Sequence, residues 1–452
     1  MEALNLPDPQ EKPRIVVVGG GFGGLNFVDT LDTRYYQVVL LDQYNYHTFA
    51  PLLYQVATAG LDAPDICGAL RKSFRNKKNF HFRMLRVRGI DDAAQEVHTE
   101  AGAIRYDYLV LATGTRANFF GNKNMEKYAL PLKTVPHARQ LRHHLFQTLE
   151  RVEMTEDPRE RASMMTFLIV GGGPSGVELA GALSELRRHV LQRDYHDTDT
   201  MDLRFILVDG GKRLLAQFSK KSSADALRNL KDMGIELIFE KLVKDYDGRT
   251  VTFNDDTTLE THTVIWGAGV TGEIIEGLKE GSAEKAHYVI DDHMRVKDYH
   301  NVFAIGDVTY LTSDEWLEGH PGVAQVAIQM GKRLAKNFNA LAKGKEPEGF
   351  VYNDKGNLAI IGRNRAVADL PRGIHLNGFP AWFIWAVVHI FYLIGFRNRL
   401  FTFLSWVGNY VTYNRAVRLV IEPSLEEELK EAKNGKLATD GHALIITEKE
   451  KV

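Results

Sequence analysis

The sequence predicts an α/β protein made of two Rossmann-like domains, the second inserted in the first, with a helical segment added at the C-terminus. Two observations carry this expectation. A strand, a glycine-rich turn and a helix follow one another twice, and further strand-to-turn segments lie on both sides of the second copy. A third observation is a late change in composition, where aromatic residues and a few arginines replace the earlier mix of charges. The chain has 452 residues, too many for one core. With 44% hydrophobic and 25% charged residues it reads as globular, and a net charge of −2 gives no electrostatic footprint for nucleic acid.

Met1 to Pro13 lacks the basic and apolar regions of a secretory signal, so the body of the protein is expected in the cytoplasm. Arg14 to Val18 is a β-branched run that leads into Gly19-Gly20-Gly21-Phe22-Gly23-Gly24 and a helix through Leu31. Glycine at Gly19, Gly21 and Gly24 allows a sharp turn, close approach to a pyrophosphate and packing of helix on strand. A second strand, Gln37 to Leu41, ends in Asp42, 18 positions after Gly24, where a carboxylate can accept from a ribose hydroxyl. The unit recurs as Phe167 to Val170, then Gly171-Gly172-Gly173-Pro174-Ser175-Gly176, then a helix from Val177 to Leu186. Its acid, Asp209, ends the strand Arg204 to Val208 but comes 33 positions after Gly176, which requires an insertion around Arg187 to Asp202. Gly171, Gly173 and Gly176 repeat the roles of the first turn.

Three more segments run a strand into a small-residue turn. They are Tyr108 to Thr115 with Thr113 and Gly114, Thr263 to Val270 with Gly267, Ala268 and Gly269, and Asn301 to Asp307 with Gly306. A helix from about Gly322 to Ala342 follows the last. Together these define two Rossmann-like dinucleotide-binding domains. The expected divisions are 1–120 and 286–345 for the two parts of the first domain, 163–284 for the inserted one and 346–452 for a C-terminal region.

The order of motifs over residues 13 to 345 resembles the two-dinucleotide-binding-domain flavoproteins. The resemblance implies non-covalent FAD in the first domain and NADH as substrate in the second. Asp307 is then placed to hold the flavin's ribityl hydroxyls, with the N-terminus of the following helix, Ala324 included, favouring negative charge on the flavin ring. Many members carry a Cys-x4-Cys pair after the first ribose acid. Here that region, Tyr44 to Gln55, has no cysteine, and the single Cys67 is read as a small apolar side chain, so disulfide reduction is excluded. The stretch Phe49-Ala-Pro-Leu-Leu-Tyr-Gln55, with Ala324-Gln-Val-Ala-Ile-Gln329, is similar to type II NADH:quinone oxidoreductase. Gln325 and Gln329 are four apart on one helix face and are expected to hydrogen-bond a quinone carbonyl; Gln55 is counted with the cofactor residues. Glu178 is placed in the first turn of its helix, where the helix dipole favours a carboxylate, and the resemblance sets it between nicotinamide and flavin. It is expected to position NADH or relay a proton to the quinone.

Gly378 to Phe396 is the longest apolar stretch, free of Asp, Glu, Lys and Arg. The following segment sets Thr402, Ser405, Asn409 and Thr412 opposite Leu400, Leu404, Val407 and Val411, an amphipathic helix. Trp382, Trp385 and Trp406, with Arg397, Arg399 and Arg415, suit the surface of an anionic bilayer, so interfacial anchoring is preferred over a true span or burial in a dimer interface alone. His389, beside Trp385 and Tyr392 on one helix face, is read as structural; Glu426 to Lys430 is read as a solvated helix face ahead of a loose tail.

The expected activity is non-proton-pumping oxidation of NADH with hydride transfer to FAD and two-electron reduction of a membrane quinone. It would take place at the cytoplasmic face of the membrane in a homodimer, with no metal and no nucleic acid. Asp209 favours NADH over NADPH, though Lys212 and Arg213 stand close by. The rival readings are a sulfide:quinone reductase, which needs at least two active-site cysteines, a nucleotide-sensing flavoprotein, and a ferredoxin or rubredoxin reductase.

Overall fold

The computed structural model describes residues 4–8, 12–317, 319–412 and 417–420. The first domain begins with β1 (Arg14–Val18), α1 (Phe22–Thr30), β2 (Gln37–Asp42), α2 (Leu53–Ala57), β3 (Phe80–Met84) and β4 (Tyr108–Leu111). The chain then builds the second domain from β5 (Leu130–Pro131), β6 (Thr166–Val170), α3 (Pro174–Leu186), β7 (Arg204–Val208), α4 (Lys220–Asp232), β8 (Glu236–Ile238) and β9 (Thr263–Trp266). It returns with β10 (Val302–Ala304) and α5 (Ala324–Leu341). The C-terminal part is β11 (Asn357–Gly362), β12 (Arg365–Leu370), β13 (Ile374–Asn377), α6 (Gly378–Tyr392) and α7 (Phe396–Thr412).

Two five-stranded parallel sheets result, in the orders β10-β4-β1-β2-β3 and β5-β9-β6-β7-β8. In the first, Val16 lies between Val39 and Leu109; in the second, Leu168 lies between Ile206 and Val264. The glycine turns follow the central strands. Those strands are unbroken apolar runs because both sheet faces are covered: in the second domain helices pack on Phe167 and Ile169, and a three-stranded antiparallel sheet lays Tyr246, Val251 and Phe253 on Leu168 and Val170, so Ile15 to Val17 and Phe167 to Ile169 are almost wholly buried. β10 closes the first sheet only after the second domain is complete, which is the insertion seen in the sequence. The two connecting segments run antiparallel, Thr115–Ala117 against Val270–Gly272.

Helix α5 lies along α1. A Cβ on Gly331 would overlap the carbonyl of Gly23, so this close approach needs glycine at that position. The excess length before Asp209 folds as a one-turn π-helix, Arg187–Leu191, followed by two short helical turns.

The C-terminal sheet β11-β12-β13 is antiparallel and stacks on α3. A Cβ on Gly181 would overlap the Ile361 carbonyl, so the two elements touch there through backbone. A polar cluster fixes the same sheet to α4. Ser219 and Ser222 donate to Asp369, and Asn377 and His375 bond to Asp225.

The long apolar stretch does not run through as one helix. It breaks at Leu393–Gly395, where Leu393 is extended and Gly395 has φ +79°. Helix α6 has 15 residues, about 22 Å, short of a hydrocarbon core of about 30 Å. No helix of the described residues is long and apolar enough to cross a membrane. Arg415 and the Glu426 to Lys430 segment lie outside the described residues.

Candidate active site

The two glycine turns have equivalent geometry. Gly19 and Gly171 sit at φ +105° and +111°, and a Cβ on Gly24 or Gly176 would overlap the Gly19 or Gly171 carbonyl. Those glycines are demanded by the fold itself. Gly21 and Gly173 are different. Each is the N-cap of its helix with ordinary φ, −69° and −74°, and nothing stands within 4 Å of where a Cβ would be. No chain atom requires glycine there, whereas a pyrophosphate resting on the helix N-terminus does.

The carboxylates answer each other in the same way. Asp42 Oδ2 accepts the Gly20 N–H at 2.6 Å and Oδ1 accepts the Tyr44 N–H at 2.7 Å. Asp209 Oδ2 accepts the Gly172 N–H and Oδ1 the Gly211 N–H, both at 2.6 Å. Each acid thus fastens its glycine turn and keeps spare lone pairs for ribose hydroxyls. Burial raises the pKa of Asp42, against the pull of its two amide donors. His47, unnoticed in the sequence, is buried with Nδ1 donating to the Gly20 carbonyl at 3.0 Å; burial pushes its pKa down to about 4, so it holds this turn as a neutral ring.

Asp307 lies after β10, next to Gly306 at φ +80°. Burial raises its pKa, and among the described residues no hydrogen bond reaches its carboxyl. A buried acceptor left open in this way fits the hydroxyls of a bound flavin. Val323 caps α5 without a side-chain bond, leaving the backbone at Ala324 to meet such a group. Thr113 donates its hydroxyl to the Glu273 carbonyl at 2.6 Å, and Gly114, at φ +70°, has open space beside it. Gly267 packs close to the Val170 carbonyl, and Gly269 at φ +99° packs against Phe120, with Ala268 between them. The residues present therefore fit FAD in the first domain and a nicotinamide dinucleotide in the second.

A cleft of about 800 Å³, its open mouth included, lies between α2, α3, β11 and the two C-terminal helices. Glu178, Gln55, Tyr54, Trp382, Trp385 and Tyr410 are among its walls. Helix α3 starts at Pro174 and has no acid in its first turn, so the helix-dipole reading of Glu178 is corrected: the residue comes one turn later. Its carboxyl is buried in the cleft wall, with the Ile360 N–H near Oε1 at 3.5 Å. The Trp385 indole faces it without a good hydrogen bond, and among the described residues its Nε1 makes none elsewhere. Burial pushes Glu178 up to about 8, so it carries a proton at neutral pH.

Packing fixes where the other expected residues stand, and it corrects the membrane reading of Trp385 and Trp406. Gln329 is held at both ends by the Asn353 backbone, Nε2 donating to its carbonyl and Oε1 accepting its N–H, each at 3.0 Å; its amide is committed and does not line the cleft. Gln325, half-buried at the start of α5, does not line it either. Gln55 does, and it accepts the Trp406 Nε1–H at 2.7 Å while donating to the Tyr54 hydroxyl at 2.8 Å, so it forms part of the cleft wall. Trp385 is only 1% exposed and stacks on His389 at 4.1 Å, so it is a cleft residue and not a membrane contact. Trp406 also turns inward. His389 Nδ1 donates to the Trp385 carbonyl at 2.7 Å and burial lowers its pKa to about 4, a structural role as expected. Cys67 is half-buried with its thiol pushed up to about 11, so it is no thiolate nucleophile.

Helix α7 is turned inside out relative to a water-soluble helix. Its polar row faces the protein: Asn398 donates to the Cys67 carbonyl, Thr402 to that of Asp65 and Asn409 to that of Gly60. Its apolar row, Leu400, Leu404, Val407 and Val411, is exposed, the last at 72%. Helix α6 adds Phe379, Phe383, Val387 and Phe391 to the same unburied surface. Arg397 and Arg399 are exposed at the turn between the helices, Arg397 over the Phe401 ring.

A family model described as pyridine nucleotide-disulphide oxidoreductase matches residues 13–331, and one described as NDH2 C-terminal domain matches 355–413. The chain is 34% identical over 426 residues to type II NADH:quinone oxidoreductase Ndh of Mycobacterium tuberculosis, with 90% of each covered. It is 30% identical over 437 residues to an internal alternative NAD(P)H-ubiquinone oxidoreductase of Arabidopsis thaliana mitochondria, covering 89% of this chain and 84% of the relative. In fold it is similar to NDH2 of Plasmodium falciparum solved with NADH, at a TM-score of 0.83 and 22% identity over 91% of this chain and all of that one. The sulfide:quinone oxidoreductase of Aquifex aeolicus gives a lower TM-score of 0.66 at 18% identity, over 94% of this chain and 96% of that one. The glycine turns, their paired acids and the C-terminal helices thus sit in a chain that belongs to the type II NADH:quinone oxidoreductase family.

Proposed function

We propose that this chain oxidises NADH and reduces a quinone to quinol at a membrane surface without pumping protons, and that Glu178 delivers a proton to the quinone. NADH, a proton and the quinone together give NAD+ and the quinol. FAD held in the first domain would supply the hydride acceptor and pass the electron pair on. The amides of the turn around Gly21 would carry its pyrophosphate, with Asp42 on the ribose and Asp307 on the ribityl chain. The turn around Gly173, with Asp209 and the Gly267 to Gly269 segment, would seat NADH. The 1–120, 163–284, 286–345 and 346–452 divisions are kept as the proposed domain limits.

The carrying observation is Glu178, a fully buried carboxyl protonated at neutral pH that lines a cleft roofed by two helices with unburied apolar faces. Such a cleft suits a ring whose tail lies in lipid. Gln55 and Tyr54 supply neutral polar groups for a quinone carbonyl; Gln325 is retained as a contact from the flavin side. The exposed rows of α6 and α7 support attachment to the bilayer surface, with Arg397, Arg399 and Trp382 at its edge. The cytoplasmic face, anionic lipid and a homodimer are part of the same proposal, the last tested by the mass of the solubilised protein. A sulfide:quinone activity is disfavoured by the lone, protonated Cys67.

The test is steady-state oxidation of NADH by a short-chain quinone, with the flavin spectrum recorded. Robust turnover is expected, and none at all would refute the reading. Leu404→Glu with Val411→Glu is expected to move the protein from membrane to supernatant while turnover with the short-chain quinone survives; retention on the membrane would refute the anchor. Asp209→Asn is expected to raise KM for NADH about tenfold or more at preserved kcat, because it loses a charged acceptor for ribose. An unchanged KM would remove Asp209 from the site.

A further inference from the structure

Beside the active-site cleft a second, mainly polar one of about 760 Å³, open mouth included, lies between the end of α3 and the turn from β11 to β12. Arg188, His189, Arg363, Asn364, Arg365 and Glu185 form its walls, three guanidiniums against one carboxylate. The π-helix is what brings Arg188 here. In that widened turn Arg187 points inward, its guanidinium over the Phe205 ring and donating to the Met233 carbonyl, while Arg188 faces the cleft. Two of the cleft arginines are steadied from the same helix end: Arg188 Nη2 donates to the Asp232 carbonyl at 2.9 Å and Arg365 Nη1 to that of Asn229 at 3.4 Å, both in the last turn of α4. Among the described residues neither is paired with a carboxylate, so the rest of each guanidinium fork is open. Arg363 lies over the Tyr410 ring at 3.9 Å, which links this cleft to α7. The two clefts share Glu185 and Arg363.

Guanidiniums steadied in this way suit a tetrahedral phosphoryl group better than a planar carboxylate, because separate forks can bond separate non-bridging oxygens. We propose that this cleft is a phosphoryl-binding site, taking the phosphate of an anionic phospholipid at the mouth of the active site or a free phosphate. The site stands on its own charge and geometry and does not depend on the quinone reading.

The test compares the full-length flavoprotein with an Arg188→Gln/Arg365→Gln variant, since neither residue contacts the dinucleotide sites or the first cleft. Three readouts are taken: binding to phosphatidylcholine vesicles with and without phosphatidylglycerol, thermal unfolding in inorganic phosphate against chloride at equal ionic strength, and turnover with a short-chain quinone. With a lipid as the source, the variant is expected to bind the anionic vesicles on the order of tenfold more weakly, with neutral-vesicle binding and turnover unchanged. If a lipid is the source, inorganic phosphate stabilises neither protein; if free phosphate is, it stabilises the wild type and not the variant. Equal responses of the two proteins in both binding readouts overturn the proposal. Should the glutamine pair fail to fold, Arg188→Lys/Arg365→Lys keeps the charge and loses the forks, and an undiminished response in that variant overturns it equally. Turnover reports on the quinone reading separately.

Discussion

Gly21→Ala is expected to give a folded protein that has lost its flavin, and Gly173→Ala one that keeps flavin and no longer takes NADH. Both glycines have φ values any residue adopts, and a methyl group at either would meet no chain atom within 4 Å. The apoprotein should therefore unfold at nearly the wild-type temperature. The methyl would instead occupy the space between the helix amides and the pyrophosphate. Breaking two charge-assisted bonds there weakens binding on the order of a hundredfold or more. Gly24→Ala is the contrasting variant. Its methyl would overlap the Gly19 carbonyl, so it should cost about 3 kcal/mol of stability as well as flavin. Absorbance of the purified proteins, with NADH titration and thermal unfolding, separates the cases. Stoichiometric flavin in Gly21→Ala would show that nothing lies on that turn.

Replacing Glu178 by glutamine should lower turnover with quinone about a hundredfold and flatten its dependence on pH. The carboxyl ionises near 4.5 when solvated and at about 8 in the fold, so wild-type activity should fall as pH rises through about 8 and the proton is lost. NADH-dependent bleaching of the flavin should persist in the variant, because Glu178 acts on the quinone side. Stability gives an independent reading. Between about 4.5 and about 8 the unfolded chain has released a proton that the native state retains. The stability linked to this group is thus whole below about 4.5 and declines as pH rises to about 8. The glutamine amide does not ionise, so the wild type and the E178Q variant should diverge in unfolding free energy across that window, by on the order of a few kcal/mol. An alkaline limb that survives in E178Q would assign the proton to another group.

Much of this protein was legible because strong local signals coincide with the fold. The glycine turns, Asp42 and Asp209 each lie within one strand–turn–helix–strand unit, so order along the chain already fixes their neighbours. The inward polar row of α7 was equally readable as a period. Which side faces the protein was not, because periodicity defines two faces and only packing chooses between them.

The residues whose surroundings stayed hidden were those whose partners come from far away in sequence. Gln329 looked poised for a ligand until Asn353, 24 positions on, occupied its amide. Gln55 meets Trp406 across 351 positions. Trp385 reads as an interfacial anchor by composition, yet the stacking of α6 on the C-terminal sheet buries it against His389.

By itself, then, the sequence determined the two dinucleotide modules, the absence of a thiol pair and an apolar C-terminal surface. Turns and helix periods are local, and a missing residue type needs no coordinates. Only the tertiary structure decided that Glu178 is protonated, that it shares a cleft with Gln55 and Trp385, and that three arginines from two elements converge beside it. Burial and convergence depend on which distant segments the packing brings together, and that is where the pKa of a carboxyl and the charge of a cleft are set.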